Sequence, residues 1–82
     1  MLEELRNKEM RTVGLKQTIK AVQAGKAEQV FLARDVDAYI KNIVEDECER
    51  HGLSITYIDT MKELGKACGI DIGAATAAIL KE

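Results

Sequence analysis

The hydrophobic positions divide the chain into alternating helical and extended stretches. Leu15, Ile19 and Val22 recur at helical spacing, with Lys16, Gln17 and Lys20 on the polar side and Ala24-Gly25 as a stop, which predicts a helix over 15–24. The unbroken apolar run within 29–33, containing Val30, Phe31 and Leu32, is short enough for a buried strand. Asp35 or Asp37 then caps a long helix running to about His51, where Gly52 ends it. Its expected core side carries Val36, Ile40, Ile43, Val44 and Cys48, with Glu45, Asp46 and Glu49 toward solvent. Residues 54–58 alternate and are β-branched, giving a second strand; Thr60 caps a helix in which Met61, Leu64 and Cys68 share a face and Gly69 is the stop.

Gly69-Ile70-Asp71-Ile72-Gly73 reads as a loop between glycines, and the small-residue segment 74–80 as a final strand, with an all-helical reading of that segment beside it. At the N-terminus, Leu2 and Leu5 would lie on one side of a short helix, with Arg6, Asn7, Lys8 and Glu9 exposed. The order of helices and strands implies a three-layer α/β/α sandwich around a small mixed sheet. A short strand near Thr12-Val13 would make that sheet four-stranded.

Length changes the picture by limiting it: 82 residues hold one core, so residues 1–82 are expected to form a single domain carrying the whole function. No apolar stretch approaches the ~20 residues of a membrane span, and Met1-Leu2-Glu3-Glu4-Leu5 does not resemble a signal sequence, so a cytoplasmic protein is expected. Cys48 and Cys68 are too far apart for a paired-thiol motif and read as small buried apolar side chains. His51 is the single histidine and reads as a helix C-terminal residue, so neither a metal nor a cofactor is expected.

The net charge of −2 argues against indiscriminate polyanion binding, but the charge is unevenly spread. Arg11, Lys16, Lys20, Lys26 and Arg34 face only Glu28 across residues 11–34, a balance of +4, whereas residues 35–60 carry −5. Such polarity suits a small, oriented contact with a polyanion. Catalytic chemistry is poorly represented. Asp35 and Asp37 lie where α/β proteins place catalytic carboxylates, yet helix capping explains them, and Gly65, Gly69 and Gly73 do not form a nucleotide-binding fingerprint. An enzyme is not expected.

Gly14-Leu15-Lys16-Gln17-Thr18-Ile19-Lys20-Ala21 is more informative, because a glycine opening a helix lets a phosphate backbone approach the exposed amides. Lys16, Gln17 and Lys20 offer donors and an amide acceptor to base edges; on composition alone a solvated helix face is the simpler reading. Ile70 and Ile72 either turn toward the core or, if exposed, give an unstacked base an apolar surface. Phe31, Tyr39 and Tyr57 fall in the predicted strands and long helix and read as core.

Three blocks carry a family resemblance: Gly14 to Ala21, then Val30-Phe31-Leu32-Ala33-Arg34-Asp35-Val36-Asp37, then Glu63-Leu64-Gly65-Lys66-Ala67-Cys68-Gly69 leading into Ile70-Asp71-Ile72. In that order they resemble the kink-turn-binding ribosomal-protein family of archaeal L7Ae and eukaryotic L30e, most closely its small bacterial YbxF-type members. The resemblance implies an α/β/α sandwich that grips a kink-turn, a sharply bent RNA duplex with a bulge followed by tandem sheared G·A pairs. By position, Gly14 would admit the backbone, and Lys16, Gln17 and Lys20 would meet the guanines. Gly69, Ile70, Asp71 and Ile72 would cover the bulged nucleotides, with Arg34 and Lys66 assisting at the backbone.

Archaeal members carry Asn-Glu at the positions where this chain, like the bacterial members it resembles, has Lys16-Gln17. Gln17 retains an acceptor without the charge assistance of a carboxylate, and Lys16 adds a cation. The expected partner is therefore a structured RNA, ribosomal or riboswitch, bound by a monomer, rather than DNA or a membrane. The competing expectation is a protein-interaction module of the same fold that uses the acidic stretch 37–51.

Overall fold

A computed structural model describes residues 2–82, apart from the side chain of Leu2, so the expected partnership of Leu2 with Leu5 lies outside the described residues. A 3-10 helix, Leu2–Arg6, leads into β1 (Arg11–Val13), α1 (Leu15–Gln23), β2 (Ala27–Ala33), α2 (Ala38–Arg50), β3 (Ile55–Ile58), α3 (Met61–Ala67) and β4 (Thr76–Leu80). The sheet order is β1-β4-β2-β3, with β2 and β3 parallel and both other pairings antiparallel. The expected three-layer α/β/α sandwich with a four-stranded mixed sheet is what forms.

Alternation along the two central strands builds both cores. Val30 and Leu32 of β2 and Ala78 of β4 face α1 and α2, where Ala21, Val22, Val44 and Cys48 close over them. Phe31, Ala77 and Ile79 face the other way, under Leu64 and Cys68 of the α3 segment and Leu5 of the 3-10 helix. A strand covered on both faces has no polar side, which is why β2 reads as an unbroken apolar run. Cys48 and Cys68 thus lie on opposite sides of the sheet, and burial pushes both thiols up, Glu47 adding to the effect at Cys48.

The ends of the elements follow local chemistry. Asp37 caps α2, its carboxylate accepting from the Ile40 amide at 3.0 Å, and Thr60 caps α3 through the Glu63 amide. Asp35 is not the cap of α2: its carboxylate accepts from the Met61 amide at 2.8 Å, reaching from the turn after β2 to the start of α3. Each helix closes with the same pair of backbone bonds, the 6→1 member being Lys26 N–H to Ala21, Leu53 N–H to Cys48 and Ile70 N–H to Gly65.

The aromatic expectation holds for Phe31 alone. Tyr39 is 73% exposed, because the core face of α2 follows the Ile40, Val44, Cys48 spacing and leaves Tyr39 on the solvent side. Ile43 also falls outside both cores and lines a surface recess with Tyr39 and Asp46. Tyr57 stands at the margin of edge strand β3, its hydroxyl donating to Glu45 and its ring lying 5.2 Å beneath the Arg34 guanidinium. Strand β2 begins at Ala27 rather than 29, since Ala27 pairs with Leu80 across an irregularity that leaves Glu28 exposed and masks the alternation.

Candidate nucleic-acid interface

The strand registers gather the segments singled out in the sequence at one end of the sheet. Val13 lies opposite Ala77, Leu32 opposite Thr76 and Ala33 beside Ile58, so β1, β2 and β3 finish where β4 begins. Gly14, Arg34, the start of α3 and the chain entering β4 therefore share that end.

Gly14 makes the junction between β1 and α1. At φ 97° and ψ 161° it occupies a region that only glycine enters without strain, and its N–H donates to the Thr76 carbonyl at 2.9 Å. The Gly14 carbonyl accepts from Thr18 N–H at 3.0 Å, and the buried Thr18 hydroxyl lies 3.3 Å from that of Thr12. The first turn of α1 is thereby fixed to both neighbouring strands. Lys16 and Gln17 project from it into solvent, with Lys20 one turn further on, and none of the three side chains forms a hydrogen bond or ion pair among the described residues. Because a Cβ at position 14 would meet nothing within 4 Å, Gly14→Ala isolates the backbone effect: we expect a loss of ~1–3 kcal/mol in denaturant unfolding.

The loop after α3 resolves the two readings of its isoleucines. Ile70, next after Gly69 in the helix closure, is half-buried against the Phe31 and Leu64 cluster, whereas Ile72 is 74% exposed and Asp71 lies beside it in solvent. Gly65, which the site reading passed over, makes this possible. A Cβ there would fall 2.0 Å from the Ile72 carbonyl oxygen, so the loop lies directly on the helix backbone. A Cβ at Gly73 would lie 3.2 Å from that of Met61, whose carbonyl accepts from Ala74 N–H at 3.0 Å. A glycine inside an otherwise helical pattern is the signal that marks such an approach.

Arg34 and Lys66 stand differently. Arg34 is exposed but engaged, pairing with Asp59 at 3.4 Å above the Tyr57 ring; an exposed pair of this kind is worth ~1 kcal/mol or less, so a phosphate can share or displace Asp59. Lys66 is an exposed cation in the last turn of α3, where the helix dipole favours positive charge. Asp35 and Asp37, the carboxylates weighed for catalysis, each hold a helix amide.

Fold and site together define a small α/β/α sandwich whose conformationally fixed first helix turn and exposed isoleucine loop share one end. The chain belongs to the ribosomal protein L7Ae/L30e/S12e/Gadd45 family, whose model matches residues 2–82. Over 68 residues it is 54% identical to an RNA-binding protein of Caldanaerobacter subterraneus subsp. tengcongensis, covering 83% of each chain. It is 44% identical to RNA-binding protein YbxF of Geobacillus stearothermophilus over 69 residues, covering 84% of each. Among solved structures it is similar to the Giardia lamblia 15.5kD RNA binding protein, with TM-score 0.88 and 28% identity over 99% of this chain and 68% of that one.

Proposed function

We propose that this protein binds RNA and clamps a kink-turn by reading its tandem sheared G·A pairs. The observation that carries the reading is the exposed triad Lys16, Gln17 and Lys20 on a helix turn fixed through Gly14, at the end of the sheet where Ile72 stands out of the fold. Lysine donates to guanine O6 or N7, and the glutamine amide pairs with a base edge as donor and acceptor together. Ile72 offers an apolar surface to a splayed nucleotide. Family membership and relatives described as RNA-binding support the same direction. The protein would supply no covalent chemistry. Kinking crowds phosphates, and a ligand that fits only the bent duplex shifts the equilibrium by its differential affinity.

Calorimetric titration into a kink-turn duplex and into a control with both G·A pairs replaced by Watson–Crick pairs tests this. One or two base readouts at ~1–3 kcal/mol each predict at least about fivefold weaker binding to the control. Equal, salt-labile binding to both RNAs would leave electrostatics without recognition. Failure to bind either would favour the protein-interaction reading, for which the exposed Tyr39 beside Ile43 and Asp46 is the supporting observation.

A further inference from the structure

Lys26 is chemically out of pattern for its position. The three helices close in the same way, and the residue after the closing glycine is apolar in two of them: Leu53 and Ile70 pack on the cores. Such a contact commonly accompanies this closure. In α1 the equivalent residue is Lys26, and it is exposed. It lines a cleft of about 270 Å³ between α1 and the β1–β4 margin together with Thr12, Gln17, Lys20 and Leu80. Two of these residues, Gln17 and Lys20, belong to the proposed reading face, so the cleft continues that face along the helix.

Lys81 adds a second cation. Because Ala27 pairs with Leu80, Lys26 and Lys81 stand opposite each other one step further on, joined by a 2.8 Å bond from Lys81 N–H to the Lys26 carbonyl. The two exposed cations are thereby neighbours at the end of the cleft that adjoins the close of α1. No ion pair among the described residues neutralises either lysine.

We infer that the RNA footprint extends past the G·A-reading turn of α1, along this cleft, to Lys26 and Lys81, which take backbone phosphates of the duplex flanking the kink. The inference rests on the kink-turn reading above and assigns it a second, sequence-independent contact. Affinity for the kink-turn duplex should be measured against salt concentration for three proteins: the unsubstituted chain, Lys26→Ala/Lys81→Ala, and Lys41→Ala/Arg50→Ala, which removes the same charge from α2. Each neutralised phosphate contributes ~0.7–0.9 to the slope of log K against log salt, so the first variant should be shallower by about 1.5. Across a fivefold rise in salt, its disadvantage should therefore shrink about tenfold. The α2 variant should keep the unsubstituted slope. Equal slopes for the two variants would overturn the extended footprint while leaving G·A recognition standing. No kink-turn binding by the unsubstituted chain would overturn both.

Discussion

Gly65→Ala will weaken RNA binding and stability together, although alanine ordinarily improves a helix by up to ~1 kcal/mol over glycine. The new Cβ would fall 2.0 Å from the Ile72 carbonyl, a backbone atom that cannot rotate aside. The loop must therefore lift from α3, straining the Ile70 N–H bond to Gly65 and the Ala74 N–H bond to Met61. Overpacking of this kind costs ~1–3 kcal/mol, and at ~4–8 °C per kcal/mol for a chain of this size the melting temperature should drop visibly. The apolar contact by which Ile72 is proposed to hold a splayed nucleotide would be disturbed at the same time. Contacts to an unstacked base are worth ~1–3 kcal/mol each, so affinity for the kink-turn should fall roughly 5- to 150-fold. Ile72→Ala provides the comparison, because an exposed side chain can be truncated with little effect on folding. If Gly65→Ala melts lower but binds unchanged, the loop has no part in recognition.

The second large effect concerns what α1 reads. Gln17→Ala should lose ~1–3 kcal/mol on the kink-turn and very little on the control lacking G·A pairs, bringing the two affinities together. Lys20→Ala should weaken binding to both and flatten the salt dependence by about one unit. Titration of each variant into both RNAs separates the two roles, and equal proportional losses for Gln17→Ala on the two RNAs would end its assignment as a reader. Gln17 stands where archaeal relatives are expected to carry glutamate, and an amide oxygen accepts without the assistance of a charge. The Gln17→Glu variant is therefore the informative gain-of-affinity comparison.

The course of the chain was legible in its sequence wherever local chemistry decides it. The 3.6-residue spacing of Leu15, Ile19 and Val22 locates α1, Thr60 marks the start of α3, and the β-branched stretch before Asp59 locates β3. What escaped depends on partners distant in the chain. Asp35 looks like a cap for the helix that follows it, but it accepts from an amide 26 residues away. Tyr39 looks like core in a helix rich in apolar residues, until the phase of Ile40, Val44 and Cys48 assigns it to solvent. The site divides in the same way. Exposure of Lys16, Gln17 and Lys20 follows from helical phase. The opposed settings of Ile70 and Ile72 required the helix closure and the bare backbone of Gly65.

Helix α3 spans seven residues, fewer than two turns, and a helix so short does not persist by itself. Asp35 and Thr60 fasten its first amides, Leu64 fastens its middle, and the Ile70–Ala74 segment is laid against Met61 and Gly65. Opening of that segment and fraying of the helix are consequently a single event, the local unfolding of one small cooperative unit. A nucleotide held on Ile72, as proposed, would bind only the closed form and deepen its well according to its concentration relative to its dissociation constant. The expected result is protection from solvent exchange on RNA binding at backbone amides of Met61–Ala67, away from the nucleotide on Ile72.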